Sequence, residues 1–272
     1  MLGNAVLRFF DQSSGFEVFG TLRGSVPAKL QALRERLISG VDVNDTDSLV
    51  TVFQTVRPKL VINCIGLVKQ LASVEDPLQA IPINSLLPHR LARLAALVDA
   101  RFVHMSTDCV FSGAKGMYVE SDRPDAYDLY GRSKLLGEVD YEHAITLRTS
   151  IIGHELGGAR SLIGWFLGQE NRVRGYKRAI FSGLPTVEIA RVIRDYVLPN
   201  PQLRGLYHLS ADAINKYDLL RLVAQEYSKQ IEIEADESLV IDRSLDSTRF
   251  RQATGFKSPP WDQLIKTMRQ FG

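Results

Sequence analysis

The chain is short of several features that would narrow its function quickly. It has two cysteines in 272 residues, Cys64 and Cys109. They are too few and too far apart for a disulfide framework or a cysteine-rich zinc site, so a reducing, cytoplasmic setting is expected. Charge of one sign is scarce as well. The 33 Lys and Arg offset 31 Asp and Glu to leave +2, with no basic block, and nucleic acid is not an expected partner. The five histidines (His89, His104, His143, His154 and His208) follow no H-E-x-x-H or other ligand spacing, and no metal site is expected. No apolar run approaches the ~18 residues that span a bilayer, so no membrane partner is expected. The opening, MLGNAVLRFF, lacks the positive start of a secretory leader, and Arg8 and Asp11 interrupt its apolar stretch.

What remains is an ordinary globular composition, 45% hydrophobic and 24% charged. Strand-like runs alternate with amphipathic helical ones in the first half, which predicts βαβ units and a parallel sheet. FEVFGTLR (residues 16–23), KLVINCIG (59–66) and ARFVHMST (100–107) read as strands, the second apolar enough to be covered on both faces. Leu87, Leu91, Leu94 and Leu97 recur at helical spacing, SKLLGEVDYEH reads as a helix and HAITLRTSII as a strand. Beyond about Ile152 the alternation loosens. PTVEIARVIRDYVL reads as a helix, GLYHLS as a short strand and NKYDLLRLVAQEYSKQ as an amphipathic helix. No internal repeat or low-complexity linker separates the two halves.

Two features carry chemistry. In YGRSK, Tyr130 and Lys134 stand four residues apart on a predicted helix and therefore share a face. A fixed ammonium stabilises phenolate and lowers a tyrosine pKa, which makes Tyr130 a candidate acid or base. A solvated surface pair is the plainer alternative. Upstream, in HMSTDCVFSG, a predicted strand ends at Ser106, Thr107 and Asp108. Ligands of open parallel sheets bind at such carboxyl ends, so Thr107 is placed to reach a substrate oxygen, unless its hydroxyl only caps a turn.

STDCVFSG, YGRSKLLGE and LRTS together resemble the extended short-chain dehydrogenases/reductases, and within them the dTDP-4-dehydrorhamnose reductases and related nucleotide-sugar enzymes. The resemblance runs along nearly the whole chain, through RPKLVINCIG, INSLLPHRLA, FSGLPTVEIARVI, GLYHLS and SLDSTRFRQATGF. It implies an α/β fold: a Rossmann-type doubly wound parallel sheet over 1–150 that binds the dinucleotide. A smaller α+β substrate-binding part would follow over 151–272, with segments near 180–210 packing back on the first. It implies NADPH-dependent reduction of a nucleotide-activated 4-keto sugar in surface polysaccharide synthesis, by a monomer or homodimer. Tyr130 would donate the proton, Thr107 would hydrogen-bond the same oxygen, and Lys134 would hold the nicotinamide ribose. Asn63, Cys64 and Gly66 would pass beside the cofactor, with Asp42 and Val43 beside the adenine. Val68, Lys69, Asn84, Asp108, Cys109, Ile151, His154 and Trp165 fall on the substrate side, Asn84 at the family's structural asparagine. For Trp165 and His154 a structural position is the alternative.

The second strand ends in GTLRGS, with Arg23 where NAD-binding units carry an acid; this favours NADP(H), with NAD(H) second. Cys109 and Ile151 stand where rhamnose-pathway reductases carry aromatics, which implies a less aromatic sugar pocket. Cys109 also stands where the family's dehydratases carry a glutamate, so dehydration is not expected. An epimerase, which Arg23 disfavours, and a non-catalytic regulatory subunit are the alternatives. Gly3 matches the last glycine of G-x-x-G-x-x-G. The expectation is therefore that Met1, Leu2 and Gly3 form the second half of the phosphate-binding turn, with the first strand lying upstream of the start; a truncated relative with impaired cofactor binding is the alternative.

Overall fold

Residues 101–107 form the longest strand among the described residues and one of the two inner strands of the sheet. In the computed structural model, which describes residues 1–69 and 72–272, the chain opens with α1 (Leu2–Asp11), which buries Leu2, Ala5, Val6 and Phe10 at helical spacing. Two short strands follow, β1 (Gly20–Thr21) and β2 (Leu37–Ile38), which pair in parallel with each other. Next come α2 (Thr46–Val56), capped by the Asp45 carboxylate on the Asp47 N–H, and β3 (Leu60–Asn63). α3 (Pro77–Ala80) runs through a π-helical turn, Ile81–Leu86, into α4 (Leu87–Leu97). β4 (Arg101–Thr107), α5 (Leu129–Leu136) and β5 (Ala144–Thr149) complete the first half.

The second half holds shorter pieces. They are β6 (Ile151–Ile152), α6 (Leu162–Leu167), β7 (Arg172–Tyr176), β8 (Ala179–Phe181), β9 (Leu184–Pro185), α7 (Thr186–Val192) and β10 (Gly205–His208). After these come β11 (Ile214–Asn215), α8 (Lys216–Glu226), β12 (Glu232–Asp236), β13 (Ile241–Asp242), α9 (Thr248–Thr254) and α10 (Trp261–Phe271).

β10, β5, β4 and β3 lie side by side in that order, all parallel. One face packs on α1 and α7 through Val6, Phe10, Val103, Ile145, Ile189 and Ile193. The other packs on α2 and α4 through Leu49, Phe53, Leu91, Phe102 and Ala144. Cover on both faces is why β4 is buried from Phe102 to Thr107 without alternation. A third core joins α6, α8 and α10 through Phe166, Leu219, Leu220 and Ile265. The fold is thus an α/β fold on a parallel sheet.

Several boundaries differ from the sequence reading. The strand expected over 16–23 shrinks to Gly20 and Thr21, the two residues that find ladder partners in β2, while Phe16 turns its ring onto Phe10 instead. The helix expected from Ser133 begins at Leu129, because Asp128 caps it by accepting the Gly131 N–H at 2.8 Å. It ends at Leu136, since Gly137 passes so close to the Asn84 carbonyl that no side chain fits there. Leu97 is 81% exposed: the buried face of α4 is built from Leu87, Leu91, Ala92 and Ala95, with Leu94 packed beside them.

Candidate active site

β4 delivers Thr107, and a 3₁₀ turn over Asp108–Val110 follows at once. The Thr107 hydroxyl caps that turn, accepting the Cys109 N–H at 3.1 Å and donating to Asp108 Oδ1 at 3.2 Å. Thr107 and Asp108 are both buried, and burial raises the Asp108 carboxyl above the usual range against hydrogen bonds and the Arg243 charge. α5 brings Tyr130 and Lys134 onto one face, as their spacing requires. The two elements meet where Lys134 Nζ donates to the Met105 carbonyl of β4 at 2.8 Å.

The electrostatics differ from the sequence expectation in one respect. The Tyr130 phenol is raised, not lowered, with burial the largest cause and the neighbouring Cys109 thiol next; the Thr107 hydroxyl works the other way. Lys134 does not offset this, because its ammonium is turned to Met105. Burial lowers Lys134 to about 8, with Glu138 and Cys64 opposing the fall. Lys134 is 5% exposed, and its ammonium has three protons to give. Met105 is its one hydrogen-bond acceptor among the described residues.

This spare donor capacity is what a nicotinamide ribose needs, and Gly66 keeps the side of the ammonium it borders clear of a side chain. Gly66 borders the ammonium: a Cβ there would stand 3.3 Å from Asn84 Oδ1 and 3.8 Å from Lys134 Nζ. Cys64 links the two ends of the strip. A Cβ on the exposed Gly3 would lie 3.4 Å from Cys64 Cβ. The Cys64 thiol, pushed up to about 12 by burial, feels the Met1 amino group and then Lys134 as opposing charges. The start of α1 therefore faces the exit of β3, with backbone N–H groups available there to an anion. These groups fit a dinucleotide, and two of the expected residues turn their side chains inward. The Leu2 side chain is buried in the core, so only its backbone is available. Asn63 spends its side chain internally, Oδ1 on the Ile65 N–H and Nδ2 on the buried His104. Farther out, Arg23 is exposed in a bend after β1, Asp42 is exposed, and Val43 packs against the core beneath α2.

The substrate-side residues separate into groups. Asp108 and Cys109 stay with Thr107 and Tyr130. Lys69 pairs with Asp128, the cap of α5, at 2.8 Å, and Val68 beside it is exposed. Asn84 is a clamp rather than a ligand contact: fully buried, it bonds both backbone groups of Leu67 and the Ser133 hydroxyl, and no amide proton is left over. Ile151, on β6, packs against the main core. His154 is not brought to the Thr107–Tyr130 group. It bonds the Tyr227 hydroxyl at 2.8 Å in a small cavity between α1 and the chain end, lined also by Asn4, Arg8 and Thr186. Trp165 is 38% exposed on α6.

Two groups of residues escaped the sequence reading. Glu138, just past α5, holds Arg148 of β5 through two bonds of 2.7 Å and accepts the Ser106 hydroxyl at 2.6 Å. Arg148 also reaches His208 of β10 at 3.3 Å. Glu138 and Arg148 stand inside quoted motifs, yet nothing in their spacing announces the pair. Lys216 and Arg243 also come to this site, from segments with no chemical signature.

With the geometry in hand, the comparisons with known proteins are consistent. A protein named probable low-salt glycan biosynthesis reductase Agl14, from Haloferax volcanii, is 31% identical over 170 residues, 61% of this chain and 55% of that protein. The match thus spans about half of that relative. Methionine adenosyltransferase 2 subunit beta of Rattus norvegicus is 22% identical over 84% of this chain and 70% of its own. The dTDP-4-dehydrorhamnose reductase of Aggregatibacter actinomycetemcomitans is 25% identical over 86% of this chain and 88% of its own. Among solved structures, a dTDP-4-dehydrorhamnose reductase from Bacillus anthracis in complex with NADP superposes with a TM-score of 0.76 at 19% identity, over 93% of this chain and 99% of that one. The model of the RmlD substrate binding domain matches residues 1–270, and the chain belongs to that family.

Proposed function

We propose that the protein is an NADP(H)-dependent reductase of a nucleotide-activated keto sugar, acting at the 4-keto carbon in the cytoplasmic stages of surface polysaccharide synthesis. NAD(H) is the second choice of cofactor. The observation that carries this reading is the meeting of Thr107, Tyr130 and a buried, under-bonded Lys134 at the carboxyl end of the middle strand. The reductase relatives from Haloferax and Aggregatibacter support the same chemistry.

A bound nicotinamide supplies the hydride. The protein's part is to hold the carbonyl and give it a proton. Burial keeps the Tyr130 phenol protonated at neutral pH, so it is present as the acid. Thr107, whose hydroxyl donates to Asp108 in the free protein, would turn that proton to the same carbonyl oxygen, a hydrogen bond that strengthens toward the alkoxide. A phenol raised by burial is a reluctant donor, and the hydrogen bond with Thr107 works against that rise. Lys134, near 8 and with protons not given to Met105, is mostly cationic at neutral pH and would hold the nicotinamide ribose.

The test is steady-state NADPH oxidation with a panel of dTDP- and UDP-4-keto sugars. At least one sugar should drive oxidation, and Tyr130→Phe should lose roughly 10²–10⁴-fold in rate while binding NADPH as before. If no sugar in the panel is reduced, the reductase reading fails. The likeness to the adenosyltransferase β subunit favours a second reading, a regulatory subunit. That reading requires NADPH binding without turnover of any sugar.

A further inference from the structure

Two cations stand over the substrate side without a carboxylate partner. β11 and β13 flank β8 on opposite sides, and Asn215 and Asp242 both pair with Ile180. The residue after each strand end is a cation: Lys216, which opens α8, and Arg243. Arg243 is anchored toward the catalytic turn. Its Nε donates to the Phe111 carbonyl at 2.8 Å, and its Nη1 reaches Cys109 Sγ at 3.8 Å. Cys109 in turn donates its N–H to the Thr107 hydroxyl. The guanidinium is thus one side chain away from the oxygen that Thr107 would hold.

Both cations are half-buried, and neither makes a salt bridge among the described residues. The acids nearby are engaged elsewhere. Asp108 takes the Thr107 hydroxyl, Asp125 takes Ser112 through both oxygens, and Asp128 takes Lys69 and the Gly131 N–H. Burial lowers Lys216 below the usual lysine range, with Asp108 opposing and Arg243 adding to the fall. Holding two cations together partly out of water is unfavourable unless an anion joins them. A guanidinium with a free edge suits a planar or tetrahedral oxyanion, which it grips through two N–H groups. A neutral sugar hydroxyl needs neither charge.

We infer that Arg243 and Lys216 determine substrate specificity by binding an oxyanion carried by the nucleotide sugar, either its diphosphate or a ring carboxylate. The inference rests on the reading of the site as one for nucleotide sugars. Binding is measured by calorimetry for uridine, UDP, UDP-glucose and UDP-glucuronic acid, and for thymidine, dTDP and dTDP-glucose. The proteins are the wild type, Arg243→Gln, Lys216→Gln and Arg243→Lys. A hydrogen bond to a charged group implies a loss of roughly 10–100-fold in affinity for each Gln variant. If the diphosphate is the ligand, UDP, dTDP and every nucleotide sugar weaken while the nucleosides bind unchanged. If it is a ring carboxylate, the loss falls on UDP-glucuronic acid alone. Arg243→Lys should recover part of the affinity. A merely structural role would lower the melting temperature without changing the order of the probes. Should Arg243→Gln fail to fold, Lys216→Gln, at the half-buried start of α8, decides. Folded variants that bind every probe as the wild type does overturn the inference and leave the reductase reading standing on the NADPH assay. A wild type that binds no nucleotide overturns both.

Discussion

Around Lys134, the elements β4, α5 and β5 hold most polar groups in fixed bonds: Asn84 on Leu67 and Ser133, Glu138 on Arg148 and Ser106, Lys134 on Met105. Around Arg23, the two-residue strands β1 and β2 pair only with each other, and the arginine itself lies exposed in a bend. The first region would move a proton, and there the geometry must exist before the ligand arrives, because reorganising dipoles during reaction raises the barrier. The second would recognise a nucleotide end, where binding energy is gained only once the ligand is present. Stability and chemistry are therefore coupled on one side of the site and separate on the other.

The most severe way to break the first region is to remove Glu138. Its side chain is 12% exposed and that of Arg148 is 3% exposed, so Glu138→Ala leaves a buried, unpaired guanidinium. The expected cost is about 3–5 kcal/mol, a fall in melting temperature on the order of 10 °C by calorimetry. A loss of only a degree or two would mean that solvent reaches Arg148 and that this region is not fixed as described.

The same network should make stability depend on pH. His208 is buried against Arg148, and burial with that charge lowers it to about 4. The folded value lies below the unfolded one, near 6.5, so the unfolded chain binds the proton first as pH falls. The stabilisation is complete above pH ~6.5 and is lost progressively down to pH ~4, about 3 kcal/mol in all. Carboxylates titrate in part of this window, so the comparison is with His208→Gln. That variant should show a shallower decline between pH 6.5 and 4 in urea unfolding. Parallel curves would remove His208 as the source.

How far these features were legible in the sequence follows from their range. β3 was visible as an apolar run, β4 and β5 as strand-like stretches, and Tyr130 with Lys134 as a four-residue spacing, because those signals are local. Glu138, Arg148 and His208 come from three separate elements, and the pairing of one to another leaves no periodic trace. Lys216 and Arg243 come to the same end of β8 only because two strands flank the same residue of it. The strand expected over 16–23 failed for the opposite reason: its apolar pattern was present, but ladder partners exist for two residues alone. The direction of the Tyr130 shift was misread because the i, i+4 rule places two side chains on one face without saying where the ammonium points.

Asn84 tests the first region at its margin with the site. Asn84→Leu removes the acceptor of the Leu67 N–H and the partner of Ser133 while keeping the volume similar. One buried donor left unpaired sets the cost at roughly 1–3 kcal/mol. Because Gly66 borders both this side chain and the Lys134 ammonium, the NADPH dissociation constant should rise with the loss of stability. A destabilised variant with unchanged NADPH affinity would separate the clamp from the cofactor strip.

Arg23 is the smallest effect and the sharpest contrast. It is exposed and makes no salt bridge among the described residues, so Arg23→Ala should leave stability within about 0.5 kcal/mol. If it meets the 2′-phosphate, one exposed charged contact is worth about 1 kcal/mol, or a roughly fivefold rise in the NADPH dissociation constant. Binding of NADH, which lacks that phosphate, should not change. Raising the salt concentration should shrink the NADPH effect as well, since an exposed pair is screened within a Debye length of about 10 Å. Equal losses for NADPH and NADH would show that Arg23 acts on the fold of the β1 end rather than on the phosphate. The chemical separation between the two regions would then disappear.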